Sequence, residues 1–207
     1  MANHEDISPL TLNRLSVYLR CLHHLHQQGV TRIASQEMAR RYHLSAAQIR
    51  KDLTQFGEFG IRGVGYDVAD LRSRLETLLG LHRERGVVIV GAGNIGRALA
   101  RFPGLGAGSF RLHAIFDVDP EKVGGQLLDH TIRHSREIPE VVRETGAEIG
   151  ILAVPAEVAQ ENYDVLVAAG IQAVLNFAPI QLRLDPAVRV KNVDLLIFLE
   201  ELGFYLR

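Results

Sequence analysis

Gly91, Gly93 and Gly96 stand in the segment VVIVGAGNIG (87–96), where an apolar β-branched run turns directly into G-x-G-x-x-G. In that context Gly91 allows a sharp turn, Gly93 lets the backbone approach a pyrophosphate, and Gly96 lets the following helix pack close to the strand. Ala92, Asn94 and Ile95 complete the loop, whose free N–H groups and helix dipole favour an anion. Asp117 lies 21 residues beyond Gly96 and closes the next β-rich run. A carboxylate there accepts hydrogen bonds from ribose hydroxyls and repels a 2′-phosphate, so NAD(H) is expected over NADP(H). The alternative is a glycine turn in an empty sheet, with Asp117 as a surface acid.

A dinucleotide raises the question of hydride chemistry, which needs a positioned acid or base. None of the five tyrosines has a lysine four positions later. Of the nine histidines, His4, His23, His24, His26 and His43 belong to the N-terminal helical region, His82 to a linker and His113 to a strand. His130 and His134 are read as part of a polar loop, with neither a helix nor a third ligand to make their spacing a metal site. No catalytic residue and no metal are expected.

A second segment has a different chemistry. SAAQIRKDL (45–53) reads as a capped helix with adjacent basic residues, and FGEFGIRGVGY (56–66) as a glycine-rich basic loop. In a winged helix-turn-helix such a helix enters the major groove with its early residues facing base edges. Gln48 can pair with adenine, and Arg50 and Lys51 reach guanine or phosphate. Arg62, at the tip of the loop, suits an A/T-rich minor groove. The competing reading is an ordinary helical bundle with a solvated basic face.

The elements that must position these groups follow from caps and periodicity. Ser8-Pro9 opens a first helix, Leu12, Leu15, Leu19 and Leu22 form its apolar stripe, and Gly29 stops it. Ser35 is expected to cap a second helix through about Tyr42, and Ser45 with Gln48 a capping box for a third ending near Gln55. Residues 56–66 suit a hairpin, and Asp67 caps a fourth helix carrying Leu71, Leu75, Leu78 and Leu79. Residues 80–86 form the linker. Beyond it, strands at 87–90, 112–116, 149–154 and 172–177 alternate with helices at 95–102, 138–145 and 156–169. That rhythm implies a parallel sheet covered on both faces, the doubly wound Rossmann arrangement. A last amphipathic helix, 195–206, is capped by Asp194.

Three regions result: 1–80 as a winged-helix domain, 86–192 as a Rossmann domain, and 194–207 as a terminal helix. The chain has 207 residues, a net charge of −1 and a single cysteine, Cys21, which excludes an intrachain disulfide. Residues 1–85 hold 12 Lys+Arg against 9 Asp+Glu, and residues 86–207 hold 11 against 15, a basic head on an acidic body. No apolar run is long enough to span a membrane, and the N-terminus lacks the order of a signal peptide, so a cytoplasmic location is expected.

Arg50-Lys51-Asp52-Leu53, FGEFGIRGVGYDV, VGAGNIG, FDVDP (116–120) and LNFAP (175–179) together resemble the Rex family of redox-sensing transcriptional repressors. The resemblance covers nearly the whole chain and implies a homodimeric DNA-binding repressor that releases a two-fold symmetric operator when NADH binds, while NAD+ competes without forcing release. It implies dinucleotide contacts from Gly91–Gly96 and Asp117, with Val154, Pro155, Asn176, Phe177, Ala178 and Pro179 near the nicotinamide. It also implies that the last helix is swapped between subunits, and that Arg20 and Asp194 form a cross-subunit pair responding to the cofactor. Phe102 departs from the family pattern, where a tyrosine hydroxyl often shares in that exchange. An NAD-dependent oxidoreductase with an appended helical domain, or a CoA-binding variant of the sheet, are the rival readings.

Overall fold

The computed structural model describes residues 7–57, 59–61, 64–106 and 108–206. The chain divides between His82 and Arg83 into two compact units, a division that falls inside the expected linker.

The first unit begins with α1 (Pro9–Gln27), capped by Ser8, whose hydroxyl accepts the Thr11 N–H at 3.2 Å. Leu15, Leu19, Leu22 and Leu25 of α1 are buried, while Leu12 is exposed. There follow β1 (Arg32–Ile33), α2 (Ser35–Tyr42), α3 (Ala46–Thr54), β2 (Gly60–Ile61), β3 (Gly65–Asp67) and α4 (Val68–Leu78). Val68, Leu71 and Leu75 of α4 close the core with Ile33, Met38, Ile49 and Leu53. β2 and β3 form the expected antiparallel hairpin, and β1 adds a third strand by pairing Arg32 with Asp67 and Ile33 with Tyr66. This is a winged helix whose wing is anchored to the body through β1. Arg62 lies outside the described residues.

Two local expectations are corrected. Ser35 is the first residue of α2, not its cap; Ala34 occupies the cap position without a side-chain bond. The capping box on α3 is half formed: Ser45 accepts the Gln48 N–H at 3.3 Å, but the Gln48 side chain turns to Asp52 instead of back to Ser45.

The second unit runs β4 (Arg85–Val90), α5 (Asn94–Ala100), β5 (Phe110–Asp117), β6 (Gln126–Leu127), β7 (His130–His134), α6 (Ile138–Thr145), β8 (Ile149–Leu152), α7 (Ala156–Ala168), β9 (Ala173–Asn176), β10 (Arg189–Asn192) and α8 (Leu195–Tyr205). The sheet order is β10-β9-β8-β4-β5-β7-β6, parallel throughout except for the antiparallel β6–β7 pair. Alternation along β4 explains the two cores. Val88 and Val90 face one way, with Phe116 and the buried residues of α6 and α7; Val87 and Ile89 face the other, with Ile115, Ile132 and Ala100. Both faces of the sheet are covered.

His130 and His134 are not in a loop. They end strand β7, whose central Ile132 is buried and pairs with Ile115 of β5. Four residues of extended chain separate the two rings by roughly 13 Å, too far to share a metal. Among the described residues no group of three or more His, Cys, Asp or Glu could hold a metal ion, and no helix is long and apolar enough to cross a membrane.

Candidate functional site

The strand order reverses at β4, with β5 on one side and β8 on the other, so the carboxyl ends of these strands open the crevice in which doubly wound sheets bind ligands. Gly91 follows β4 with φ +103°, and a Cβ there would stand 2.3 Å from the Ala153 carbonyl oxygen. A Cβ on Gly96 would stand 1.8 Å from the Gly91 carbonyl oxygen. Only glycine permits the turn and the seating of α5. At Gly93 a Cβ would meet nothing within 4 Å, so its hydrogen leaves the loop's outer surface open to a ligand. Asn94 and Ile95 are exposed at the start of α5, and Ala92 is fully buried.

The crevice is a cavity of about 750 Å³ lined among others by Gly91, Gly93, Asp117, Val154 and Pro155, five of the residues singled out from sequence. Asp117 is turned inward. Its Oδ2 accepts the Ala92 N–H at 2.8 Å, and its Oδ1 accepts the N–H groups of Val118 and Asp119 at 2.8 and 3.0 Å. Burial pushes this carboxyl up, but those N–H groups and Lys122 outweigh it and hold it below the usual range. Asp117 thus fixes the glycine-rich loop as well as lining the cavity. Asp119, two residues on, also lines the cavity and is more exposed, paired with Lys122 at 3.1 Å. Sequence reasoning quoted FDVDP without giving Asp119 a role; its position past the strand end was the available signal.

Asn176 ends β9, Phe177, Ala178 and Pro179 follow it, and none of the four is among the residues lining this cavity. Asn176 is buried and its amide builds a turn there. Oδ1 accepts the Ala178 N–H at 2.9 Å, and Nδ2 donates to the Ala178 carbonyl at 3.2 Å and to Asn192 Oδ1 at 3.0 Å. Phe102 is 60% exposed at the start of a 3-10 turn over Pro103–Leu105. Asp194 caps α8 by accepting the Leu196 N–H at 2.9 Å. That helix buries none of its residues, and Leu195, Phe198, Leu199, Leu202 and Tyr205 are each more than half exposed.

In the first unit, Arg50 and Lys51 are exposed on α3. Arg50 Nη1 donates to Ser35 Oγ at 2.9 Å, tying α3 to the start of α2. Arg20 is exposed on α1. The residue that sequence reasoning missed is Asp52, whose side chain is only 2% exposed. Arg14 grips it bidentately, Nε to Oδ2 at 2.6 Å and Nη2 to Oδ1 at 2.8 Å, and the Tyr18 hydroxyl donates to Oδ2 at 2.9 Å. Burial raises the carboxyl's affinity for a proton, but Arg14, Gln48 and Tyr18 together bring it below the usual range, so it is ionised. The Tyr18 hydroxyl is pushed well above its ordinary value by burial and by Asp52. The signal in sequence was a charge between Ile49 and Leu53 on the buried stripe of α3: such a charge needs partners, and Arg14 and Tyr18 share one face of α1.

Residues 82–180 match the family described as "CoA binding domain", and residues 6–54 match "Putative DNA-binding protein N-terminus". A redox-sensing transcriptional repressor Rex of Thermus thermophilus is 47% identical over 193 residues, covering 93% of this chain and 90% of its own. The Rex of Roseiflexus sp. is 41% identical over 202 residues, covering 98% and 92%. Two solved structures of RSP, a Rex-family repressor, are also similar. The complex with NAD+ and operator DNA superposes with a TM-score of 0.91 at 36% identity, covering 97% of this chain and 92% of that one. The complex with NADH gives 0.87 at 34% identity, covering 97% and 94%.

Proposed function

The chain belongs to the Rex family of redox-sensing transcriptional repressors, and from that premise we propose how its own residues carry the family's work. It is a DNA-binding repressor and not an enzyme, and its sensed ligands are NADH and NAD+. The CoA-binding description of residues 82–180 reflects the shared sheet; the RSP complexes hold NAD+ and NADH.

In this reading the dinucleotide lies along the crevice at β4, β5 and β8. Its pyrophosphate faces Gly91–Gly96, where Gly93 offers open backbone. Asp117 faces the ribose from the strand end while holding the Ala92 amide, so it sets both ligand and loop. Val154 and Pro155 border the nicotinamide; Asn176 holds the turn that carries Phe177, Ala178 and Pro179, acting through them. α3 enters the major groove, with Arg50 and Lys51 on its exposed face.

The protein acts as a homodimer on a two-fold symmetric operator, since two recognition helices read two half-sites. The bare apolar surface of α8 supports a partner: nine large hydrophobic side chains between Leu195 and Leu206 are more than half exposed, which a lone chain in water does not favour. A swap of α8 into the partner covers them and brings Asp194 within reach of the partner's Arg20. The setting is the cytoplasm, where operator DNA and the NADH pool meet.

NADH drives release only through a higher affinity for the arrangement of the dimer that cannot hold DNA. The single observation that carries this reading is the coexistence, on one chain, of a glycine-rich crevice and a basic recognition helix. Fluorescence anisotropy of a labelled operator tests it. NADH is expected to release the DNA and NAD+ to compete with NADH without releasing it; release by neither, with the protein folded and binding DNA, would overturn it.

A further inference from the structure

Gln48 sits in the first turn of α3, half-buried, with its side chain held by the protein before any DNA arrives. Its Nε2 lies 2.7 Å from Asp52 Oδ1. An ionised carboxylate only accepts hydrogen bonds, so the amide must present its NH2 group to Asp52. Oε1, on the same carbon, then points away, and no protein donor reaches it among the described residues.

The anchor itself is fixed. Asp52 Oδ1 receives Arg14 Nη2 and Gln48; Oδ2 receives Arg14 Nε and the Tyr18 hydroxyl. These bonds occupy about all the positions at which a carboxylate accepts. Arg14 is held in turn by Thr11 Oγ1 at 3.1 Å. The carboxylate can neither rotate nor take a proton without breaking bonds to α1, so the amide it holds has one orientation.

We infer that Asp52 is a positioning residue for base readout, which orients Gln48 so that its carbonyl oxygen leads into the major groove and selects a base edge bearing an amino group. Adenine offers N6–H2 and cytosine N4–H2 there, whereas guanine O6 and thymine O4 are acceptors and would face Oε1 oxygen to oxygen. The remaining Gln48 N–H can still reach adenine N7. A free glutamine has no such bias, because its amide turns over to match either edge. The inference rests on the reading that α3 enters the groove with Gln48 at a base, and it adds what fixes the polarity of that contact.

The test removes single base groups from a duplex operator. Selection from a randomised symmetric site, with the parent and with Gln48→Met, first finds the base pair whose preference depends on Gln48. At that pair, purine for adenine or 2-pyrimidinone for cytosine deletes the amino group; 5-methyl-2-pyrimidinone for thymine or 2-aminopurine for guanine deletes the keto oxygen. Amino deletion is expected to weaken the parent by roughly fivefold or more and to leave Gln48→Met unchanged, while keto deletion has no Gln48-dependent effect. In Arg14→Met/Asp52→Leu, with its fold checked by circular dichroism, the amide is free, and the two deletions should differ by less than twofold. A Gln48-dependent loss on keto deletion, or a folded double variant that keeps the parent's bias, overturns the inference alone. If no base pair responds to Gln48→Met, the placement of Gln48 at a base is wrong and the inference falls with it. If the double variant does not fold, the parent's response to the two deletions still decides.

Discussion

Replacing Arg14 with methionine removes, among the described residues, the one cation paired with the buried carboxylate of Asp52. Asp52 is 2% exposed, and the guanidinium that neutralises it is 35% exposed. Breaking a buried pair by removing one partner costs about 3–5 kcal/mol, because the remaining charge stays uncompensated. Water can follow where the guanidinium was partly exposed, and Gln48 and Tyr18 still donate, so the lower end, about 3 kcal/mol, is expected. For a unit of this size that is a fall in Tm of roughly 12–24 °C. Thermal unfolding of the N-terminal unit by circular dichroism measures it. Arg14→Met/Asp52→Leu should regain most of the loss, since an apolar pair of similar volume can replace a buried ion pair. The pH dependence separates this from simple loss of packing. In the parent the Asp52 pKa is depressed below its ordinary 3.8. Its contribution is therefore present above about pH 3.8 and is lost as pH falls through the lower folded value. In Arg14→Met the carboxylate is buried without its cation and its pKa moves up, so the variant's deficit should shrink as pH falls from 7 toward 4. A melting point within about 3 °C of the parent at pH 7, or a deficit unchanged with pH, would show that Arg14 does not stabilise the fold by neutralising Asp52.

Lys51→Ala should weaken operator binding by about 1–3 kcal/mol with the folded dimer intact; equal affinity at matched salt would remove α3 from the groove. Asp117→Ala should weaken NADH binding, measured by cofactor fluorescence, and leave DNA affinity without ligand unchanged, so that repression persists at NADH levels that release the parent. Phe102→Tyr should lower the NADH concentration needed for release: in the proposed dimer its hydroxyl would donate to Asp194, and a hydrogen bond to a charged group contributes about 1.5–3 kcal/mol, comparable to a typical allosteric coupling. Identical release curves for parent and variant would show that the hydroxyl plays no part.

The long elements were legible because they carry a repeating signal. α1 and α4 were readable from leucines at helical spacing, and α6 and α7 as the helical stretches that separate the β-rich runs. β4, β5, β8 and β9 were readable as buried apolar runs, which parallel strands covered on both faces must be. The elements missed were short or polar. β1 has two residues, β6 has two, and β10, at the sheet edge, reads Arg-Val-Lys-Asn with only Val190 half-buried. His130–His134 has one inward residue, Ile132, and no alternation long enough to distinguish a strand from a loop. At the nucleotide crevice the glycines were readable because only glycine satisfies the close approaches at Gly91 and Gly96. The inward turn of Asp117 was not, since spacing places a carboxylate at a strand end without saying which N–H it meets. Asn176 stands in sequence only as a residue near the nicotinamide, by resemblance; that its amide is engaged by the Ala178 and Asn192 groups depends on pairing between β9 and β10, invisible in sequence. The Arg14–Asp52 pair spans 38 residues, and sequence offered only the anomaly of an acid on an apolar stripe.

In the proposed repressor one free energy couples NADH binding to operator binding. By linkage, the factor by which NADH weakens operator binding must equal the factor by which operator weakens NADH binding. Measuring the NADH dissociation constant by fluorescence, with and without saturating operator, and the operator dissociation constant with and without saturating NADH, closes that cycle. Two equal factors in the range of about 5–150 are expected, and Asp117→Ala should raise the NADH concentration at which operator is released. An NADH affinity that does not change when operator is bound would contradict it.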